Sequence, residues 1–296
     1  MSSMDYIQPL FRPPSEAGSL ILQVTNGCSW NHCAFCEMYT APQKKFNIKK
    51  QSQIETEIQL LSETCADTRR IFLADGDAMV LSTRRLLHIL SCLKKYFPNL
   101  NRVSAYCLPR NIRPKTQTEL NELHDAGLQL AYIGAESGDD ELLKLIDKGE
   151  TFASIVSSVD KLNQAKFKTS VMLLNGLGGK TYSQQHAMNS ACLINEIQPT
   201  YLATLVISFP LGEKRFVNHF PNGFQMLDQQ GLFHEMEVLL QNTELHNTIF
   251  RSDHASNYLT LKGVLGRDKQ KLIDKLQLAQ NHPSQVHLRQ EWQRGL

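Results

Sequence analysis

No stretch of these 296 residues approaches the roughly 20 consecutive apolar positions of a membrane-spanning helix. The opening residues, Met1-Ser2-Ser3-Met4-Asp5-Tyr6, lack the basic stretch and apolar core of a secretory leader. Both absences set the expectation of a cytoplasmic protein with no membrane partner. Charge of one sign is lacking as well: 31 Lys and Arg against 29 Asp and Glu leave a net charge of +2, which gives no electrostatic case for nucleic acid as an obligatory partner. The cysteines do not form a paired set. There are seven, three bunched and Cys65, Cys92, Cys107 and Cys192 scattered, which is not the pattern of a secreted disulfide framework. No low-complexity linker and no short-period repeat divides the chain.

What the chain does contain is an alternation of short β-like runs with segments of helical periodicity, the signature of a mainly parallel sheet. The runs lie at 20–25, 71–75, 102–107, 128–135, 168–175 and 200–208. Between them, apolar residues recur at helical spacing, as in Leu86, Ile89, Leu90, Leu93 and Phe97, or Phe152, Ile155, Val156, Val159 and Leu162. One helix is punctuated at both ends, by the Thr116 and Glu119 capping-box pattern and by Gly127. Six strand–helix units predict an α/β fold, a partial (β/α)6 TIM-like barrel open on one side. The expected division is an N-terminal extension over 1–19, the barrel over 20–210, and a helical extension over 211–296 that covers the substrate.

Such barrels carry their reactive groups in loops at the carboxyl ends of the strands. The polar residues of this chain fall there. Cys28 follows the first strand, Asp75-Gly76-Asp77 the second, Arg110 the third, Glu136-Ser137-Gly138 the fourth, Asn175-Gly176 the fifth and Ser208 the sixth. The cysteines form the densest group, in Asn26-Gly27-Cys28-Ser29-Trp30-Asn31-His32-Cys33-Ala34-Phe35-Cys36. Three thiolates this close, with no obvious fourth, suit three irons of a four-iron cluster and leave the last iron open to an outside ligand.

The cysteine spacing, the strand before it and the six-unit pattern together resemble the radical S-adenosylmethionine (SAM) superfamily, over roughly residues 20 to 209. The resemblance implies a [4Fe-4S] cluster held by Cys28, Cys33 and Cys36, with SAM chelating the fourth iron. The spacing here is C-x4-C-x2-C, one residue longer in the first interval than the family's commonest form. Carried over residue by residue, Phe35 matches the aromatic position beside the adenine. Asp75, Gly76 and Asp77 stand where the family's Gly-Gly-Glu motif binds the SAM amino group. Glu136 matches the fourth-strand acid that accepts from ribose hydroxyls, and Asn175-Gly176-Leu177-Gly178-Gly179 the fifth-strand glycine motif; Ser208, ending the sixth strand, joins this cofactor-binding set. The implied reaction is reductive cleavage of SAM to a 5′-deoxyadenosyl radical that takes hydrogen from a small-molecule or peptide substrate. A flavodoxin- or ferredoxin-type protein would donate the electron. The polar segments 250–258 and 261–269 resemble a signature of a functionally unassigned bacterial subgroup; within them Arg251 suits pairing a carboxylate and His254 moving a proton.

Plainer readings stand beside these. The cysteines can be a structural zinc site completed by His32, although the second ligand pair usual in such sites is missing. Asp75 and Asp77 can be turn residues, Glu136 a loop prop, the glycines near 176 a simple turn, and Arg110 a surface side chain. The four scattered cysteines read as small buried hydrophobes. The function reading of another class is a non-catalytic iron–sulfur or zinc binding module that uses the barrel as a scaffold.

Overall fold

The computed structural model describes residues 4–295, so Met1, Ser2, Ser3 and Leu296 lie outside the described residues. In chain order the main elements are β1 (Leu20–Gln23), α1 (Gln51–Cys65), β2 (Arg70–Ala74), α2 (Thr83–Tyr96), β3 (Arg102–Tyr106), α3 (Gln117–Asp125), β4 (Leu128–Glu136), α4 (Phe152–Gln164), β5 (Lys168–Asn175), α5 (Gly179–Ile197), β6 (Tyr201–Val206), α6 (Gln229–Gln241), β7 (Ile249–Ser252), β8 (Leu261–Val264) and α7 (Lys269–Asn281). All six expected strands are present, with ends displaced by no more than two residues. The chain forms two compact units that interleave along it: Met1–Asn31, Met38–Ile133 and Ser157–Thr169 make the first, and His32–Glu37, Gly134–Val156 and Ser170–Leu296 the second.

In the first unit β1, β2, β3 and β4 lie side by side and parallel, with Leu22 opposite Leu73, Ile71 opposite Val103 and Ala105 opposite Ala131. Ile71, Phe72, Leu73 and Ala74 are all buried, as a parallel strand covered on both faces requires. Helix α2 supplies Leu86, Ile89, Leu90 and Leu93 to the core, and Phe97 just beyond it is buried too, as the helical spacing predicts. Helix α3 begins with the expected box: Thr116 Oγ1 accepts from the Glu119 N–H at 3.2 Å and the Glu119 carboxylate accepts from the Thr116 N–H at 2.8 Å. The rings of Phe72, Tyr106 and Tyr132 meet edge to face. Below them the N-terminal segment contributes Glu16, wholly buried, which accepts from the Tyr132 hydroxyl and from Arg102, each at 2.7 Å.

In the second unit β5, β6 and β7 are parallel and β8 returns antiparallel to β7. Residues that follow β5, β6 and β7 therefore emerge at one end. The hairpin of β7 and β8 is absent from the sequence expectation, which makes everything after 210 helical. Its strands are four residues each, carry Arg251, Lys262 and Gly263, and so show no clean alternation. β7 is held as a strand by pairing with β6, where Leu202 faces Phe250, and β8 by pairing with β7, rather than by their own composition. Helix α6 packs between α5 and α7.

Candidate active site at the strand ends

The loop after β1 starts with a position that only glycine fits. Gly27 has φ +68°, and a Cβ there would lie 2.1 Å from the Lys44 carbonyl oxygen. Cys28 follows. The two carboxylates after β2 hold the residues on either side of it: Asp75 accepts from the Gly27 N–H at 3.4 Å and Asp77 from the Ser29 hydroxyl. Asp75 also forms a buried ion pair with Lys44, and its own N–H donates to Thr25 Oγ1 at 3.2 Å. Asn111 donates to Asp77 at 2.5 Å. Both carboxyls have no exposed surface. Burial raises the pKa of Asp75 against the opposing pull of Lys44, and raises that of Asp77 to about 6 despite the Ser29 hydrogen bond. Gly76 lies against Tyr39, whose ring a Cβ would meet at 2.6 Å. Arg110 is not an idle surface residue: its guanidinium stacks over the Trp30 ring at 3.7 Å.

Cys33 and Cys36 belong to the second unit. The Cys36 N–H donates to the Cys33 carbonyl at 3.2 Å, closing a turn, and the Ala34 N–H donates to the Ile146 carbonyl at 2.8 Å. Arg215, in the short helix Lys214–Val217, spans the turn with Nη2 on the Cys33 carbonyl at 2.7 Å and Nη1 on the Cys36 carbonyl at 2.9 Å. The Lys148 ammonium is 5.9 Å from the Phe35 ring centre and 2.9 Å from Glu136 Oε1. Glu136 ends β4 in a left-handed conformation, φ +64°. Gly134, two positions before it, leaves room for that carboxylate: a Cβ there would lie 2.1 Å from Glu136 Oε1 and displace it. The other oxygen, Glu136 Oε2, is buried and has no hydrogen-bond partner among the described residues.

At the end of β5, Asn175 Nδ2 donates to the Leu232 carbonyl at 3.2 Å, and Gly176, at φ +84°, donates its N–H to Glu235 Oε1 at 2.6 Å. Glu235 also accepts from the Ser183 hydroxyl at 2.7 Å; burial raises its pKa, opposed by nearby His186 and the Gly176 N–H. His186 Nε2 lies 3.0 Å from the Leu174 carbonyl, and with that nitrogen donating, Nδ1 accepts from the Ser137 hydroxyl at 2.8 Å. Ser208 lies half-buried past β6. The loop after β7 is fastened to β6 by the Val206 N–H to Ser256 Oγ at 3.1 Å and by Asn257 to the Thr204 carbonyl at 2.9 Å. Arg289 donates to the carbonyls of His254 at 2.9 Å, Asn257 at 2.8 Å and Asp253 at 3.2 Å. His254 Nδ1 is 2.9 Å from Ser256 Oγ, and burial, then the Arg289 charge, lowers its pKa. Arg251 takes the exposed side of β7, opposite Lys262, while Phe250 and Ser252 turn inward. A two-residue period sends it away from the strand-end groups.

Sequence reasoning missed Lys44, Lys148, Arg215, Glu235 and Arg289, none of which stands at a strand end or in a motif. Of the scattered cysteines only Cys107 is buried; Cys65 and Cys92 are partly exposed and Cys192 is exposed. Among the described residues no group of three or more His, Cys, Asp or Glu side chains is set to hold a single metal ion. A four-iron cluster makes no such demand, since each thiolate takes its own iron. The three thiols are partly exposed, and the glycine turn and the orphaned Glu136 oxygen fit a cluster with a bound polar cofactor. No helix among the described residues is long and apolar enough to cross a membrane.

Residues 22–191 match the family model described as the radical SAM superfamily. The heme chaperone HemW of Bacillus subtilis (strain 168) is 23% identical over 127 residues, 42% of this chain and 34% of HemW. Among solved structures, coproporphyrinogen III oxidase (HemN) from Escherichia coli, described as a radical SAM enzyme, superposes with a TM-score of 0.56 at 14% identity, covering 75% of this chain and 52% of that one. The radical SAM methyltransferase TsrM from Kitasatospora setae, with cobalamin and a [4Fe-4S] cluster bound, gives 0.51 at 19% identity over 64% and 36% of the two chains. The chain thus spans about a third of the length of HemW and of TsrM. These likenesses establish the fold, an α/β partial TIM-like barrel.

Proposed function

Because this chain belongs to the radical SAM superfamily, we propose that Cys28, Cys33 and Cys36 hold its [4Fe-4S] cluster and that the strand-end residues hold SAM for hydrogen abstraction from a small molecule or peptide. Enzymes of the family use the cluster and SAM, and need an electron donor and a substrate; when bound, the cluster supplies one electron to SAM, which yields methionine and the 5′-deoxyadenosyl radical. The observation that carries the reading is Glu136 Oε2, a buried acceptor with no donor of its own, at the position expected to take ribose hydroxyls. Lys148 holds Oε1, so the carboxylate is oriented before any ligand arrives.

Phe35 would take the adenine, and Asn175 with the Gly176 backbone, its turn fixed by Glu235, would take the adenosyl group. Ser208 adds a hydroxyl at the same end. Asp75 and Asp77 act through the cysteine loop: they brace residues 27 and 29, and Gly76 lets the backbone come close to the SAM amino group. His254, whose pKa is lowered by burial, favours the neutral imidazole near pH 7 and would be the residue that moves a proton. The barrel over 20–210 supplies the cofactor site and 211–296 covers the substrate. The electron donor is a flavodoxin- or ferredoxin-type protein of the cytoplasm, and nucleic acid is not the substrate.

The test is anaerobic reconstitution with iron and sulfide, reduction with dithionite, and chromatography of SAM. The expected product is 5′-deoxyadenosine, abolished in Cys33→Ala. A stable four-iron cluster that neither binds nor cleaves SAM would replace this reading with a non-catalytic iron–sulfur module.

A further inference from the structure

Arg215 is an exposed arginine whose two acceptors are main-chain carbonyls of the cysteine turn. It spends both terminal nitrogens on the main-chain carbonyls of Cys33 and Cys36. The helix Lys214–Val217 that carries it is anchored by the next residue, Phe216, buried and packed on Phe209, Phe220 and Phe224 with ring centres 4.8 to 4.9 Å apart. A second tie joins the same two stretches of chain, the Leu211 N–H donating to the Glu37 carboxylate at 3.0 Å. Segment 209–224 is thus a strap laid across the cysteine turn. Carbonyl acceptors carry no net charge, so these bonds do not cancel the positive charge of the guanidinium.

We propose that Arg215 is a positioning residue of the cluster loop, which fixes the turn at 33–36 through its two carbonyls and keeps beside it a positive charge that favours the reduced cluster. The proposal rests on the cluster assignment above. Reduction adds one electron, supplied by a low-potential donor such as dithionite, and hence one negative charge. A fixed cation nearby makes that addition easier.

Two variants separate clamp from charge: Arg215→Lys keeps the charge and loses the fork, and Arg215→Gln loses both. In the full-length apoprotein, thiol alkylation mapped by mass spectrometry is expected to run several-fold faster at Cys33 and Cys36 in both variants. The rate at exposed Cys192 stays unchanged, and buried Cys107 stays unreactive, which reports an intact fold. In the reconstituted protein, a redox titration followed by electron paramagnetic resonance reads the charge. At the ambient potential that half-reduces the wild-type cluster, the reduced-to-oxidised ratio is expected to fall about fivefold in Arg215→Gln, the order expected of one partly screened charge, and to hold in Arg215→Lys. An Arg215→Gln protein that keeps Cys107 protected but takes up no iron supports the clamp in its strongest form. Should Cys107 become reactive in Arg215→Gln, Arg215→Lys decides. Wild-type alkylation rates at Cys33 and Cys36, or a wild-type potential in Arg215→Gln, overturn the proposal. Failure of the wild-type chain itself to hold a cluster would overturn the cluster assignment instead, and leave the alkylation result as the test of the clamp.

Discussion

Asp77 is wholly buried, and its folded-state pKa of about 6 lies above the ordinary carboxyl value because burial penalises the anion more than Ser29 and Asn111 stabilise it. The folded state therefore holds this proton more tightly than the unfolded chain does. The stabilisation is full below pH 3.8 and is lost as pH rises through about 6. For the apoprotein, Asp77→Asn is expected to remove a decline in stability of about 3 kcal/mol between those limits, measured as denaturant unfolding at pH 4 and pH 7; an unchanged slope would take Asp77 out of the titration. At this scale legibility followed chemistry type. Cysteines and strand-end acids stand out by spacing, and Glu136 does end β4. Lys44, Lys148 and Arg215 do not stand out in this way. Long side chains reach their partners across 31, 12 and 179 or more sequence positions respectively, and no local periodicity encodes such a reach.

Among the elements, strands flanked by turn residues were the most readable, because burial on both faces writes a continuous apolar run such as Ile71, Phe72, Leu73. The start of α3 was equally plain. Thr116→Ala removes the acceptor for the Glu119 N–H and is expected to cost about 1 kcal/mol, seen as a lowered thermal midpoint with no effect on iron content. The β7 and β8 hairpin was not readable. The four-residue β7, with exposed Arg251, owes its conformation to β6, about 50 residues away in the chain, and β8, with Lys262, owes its own to β7. For the same reason Arg251 read as chemistry in sequence and proved to be on the exposed side of an edge hairpin.

At the scale of the molecule, the strand-end groups of the second unit depend on residues near the carboxyl end of the described chain. Arg289 gathers three carbonyls of the loop bearing His254, and Arg294 stacks on Tyr258 at 3.6 Å and donates to the Ser256 carbonyl at 2.8 Å. Arg289→Ala leaves those carbonyls to water, and amide hydrogen exchange over 253–258 is expected to quicken at least about tenfold while α6 keeps its protection. An unaltered exchange rate would show that Ser256 and Asn257 hold the loop unaided. The dependence also sets an order of events during translation. His254 and Arg289 are 35 positions apart, an interval of about 2 to 7 seconds at the usual pace of synthesis. Every strand has left the ribosome's active centre before Arg289 is made. The strands β1 to β6 are thus made well before the Arg289 clamp, and a chain released short of residue 289 would carry them with the 253–258 loop unclamped.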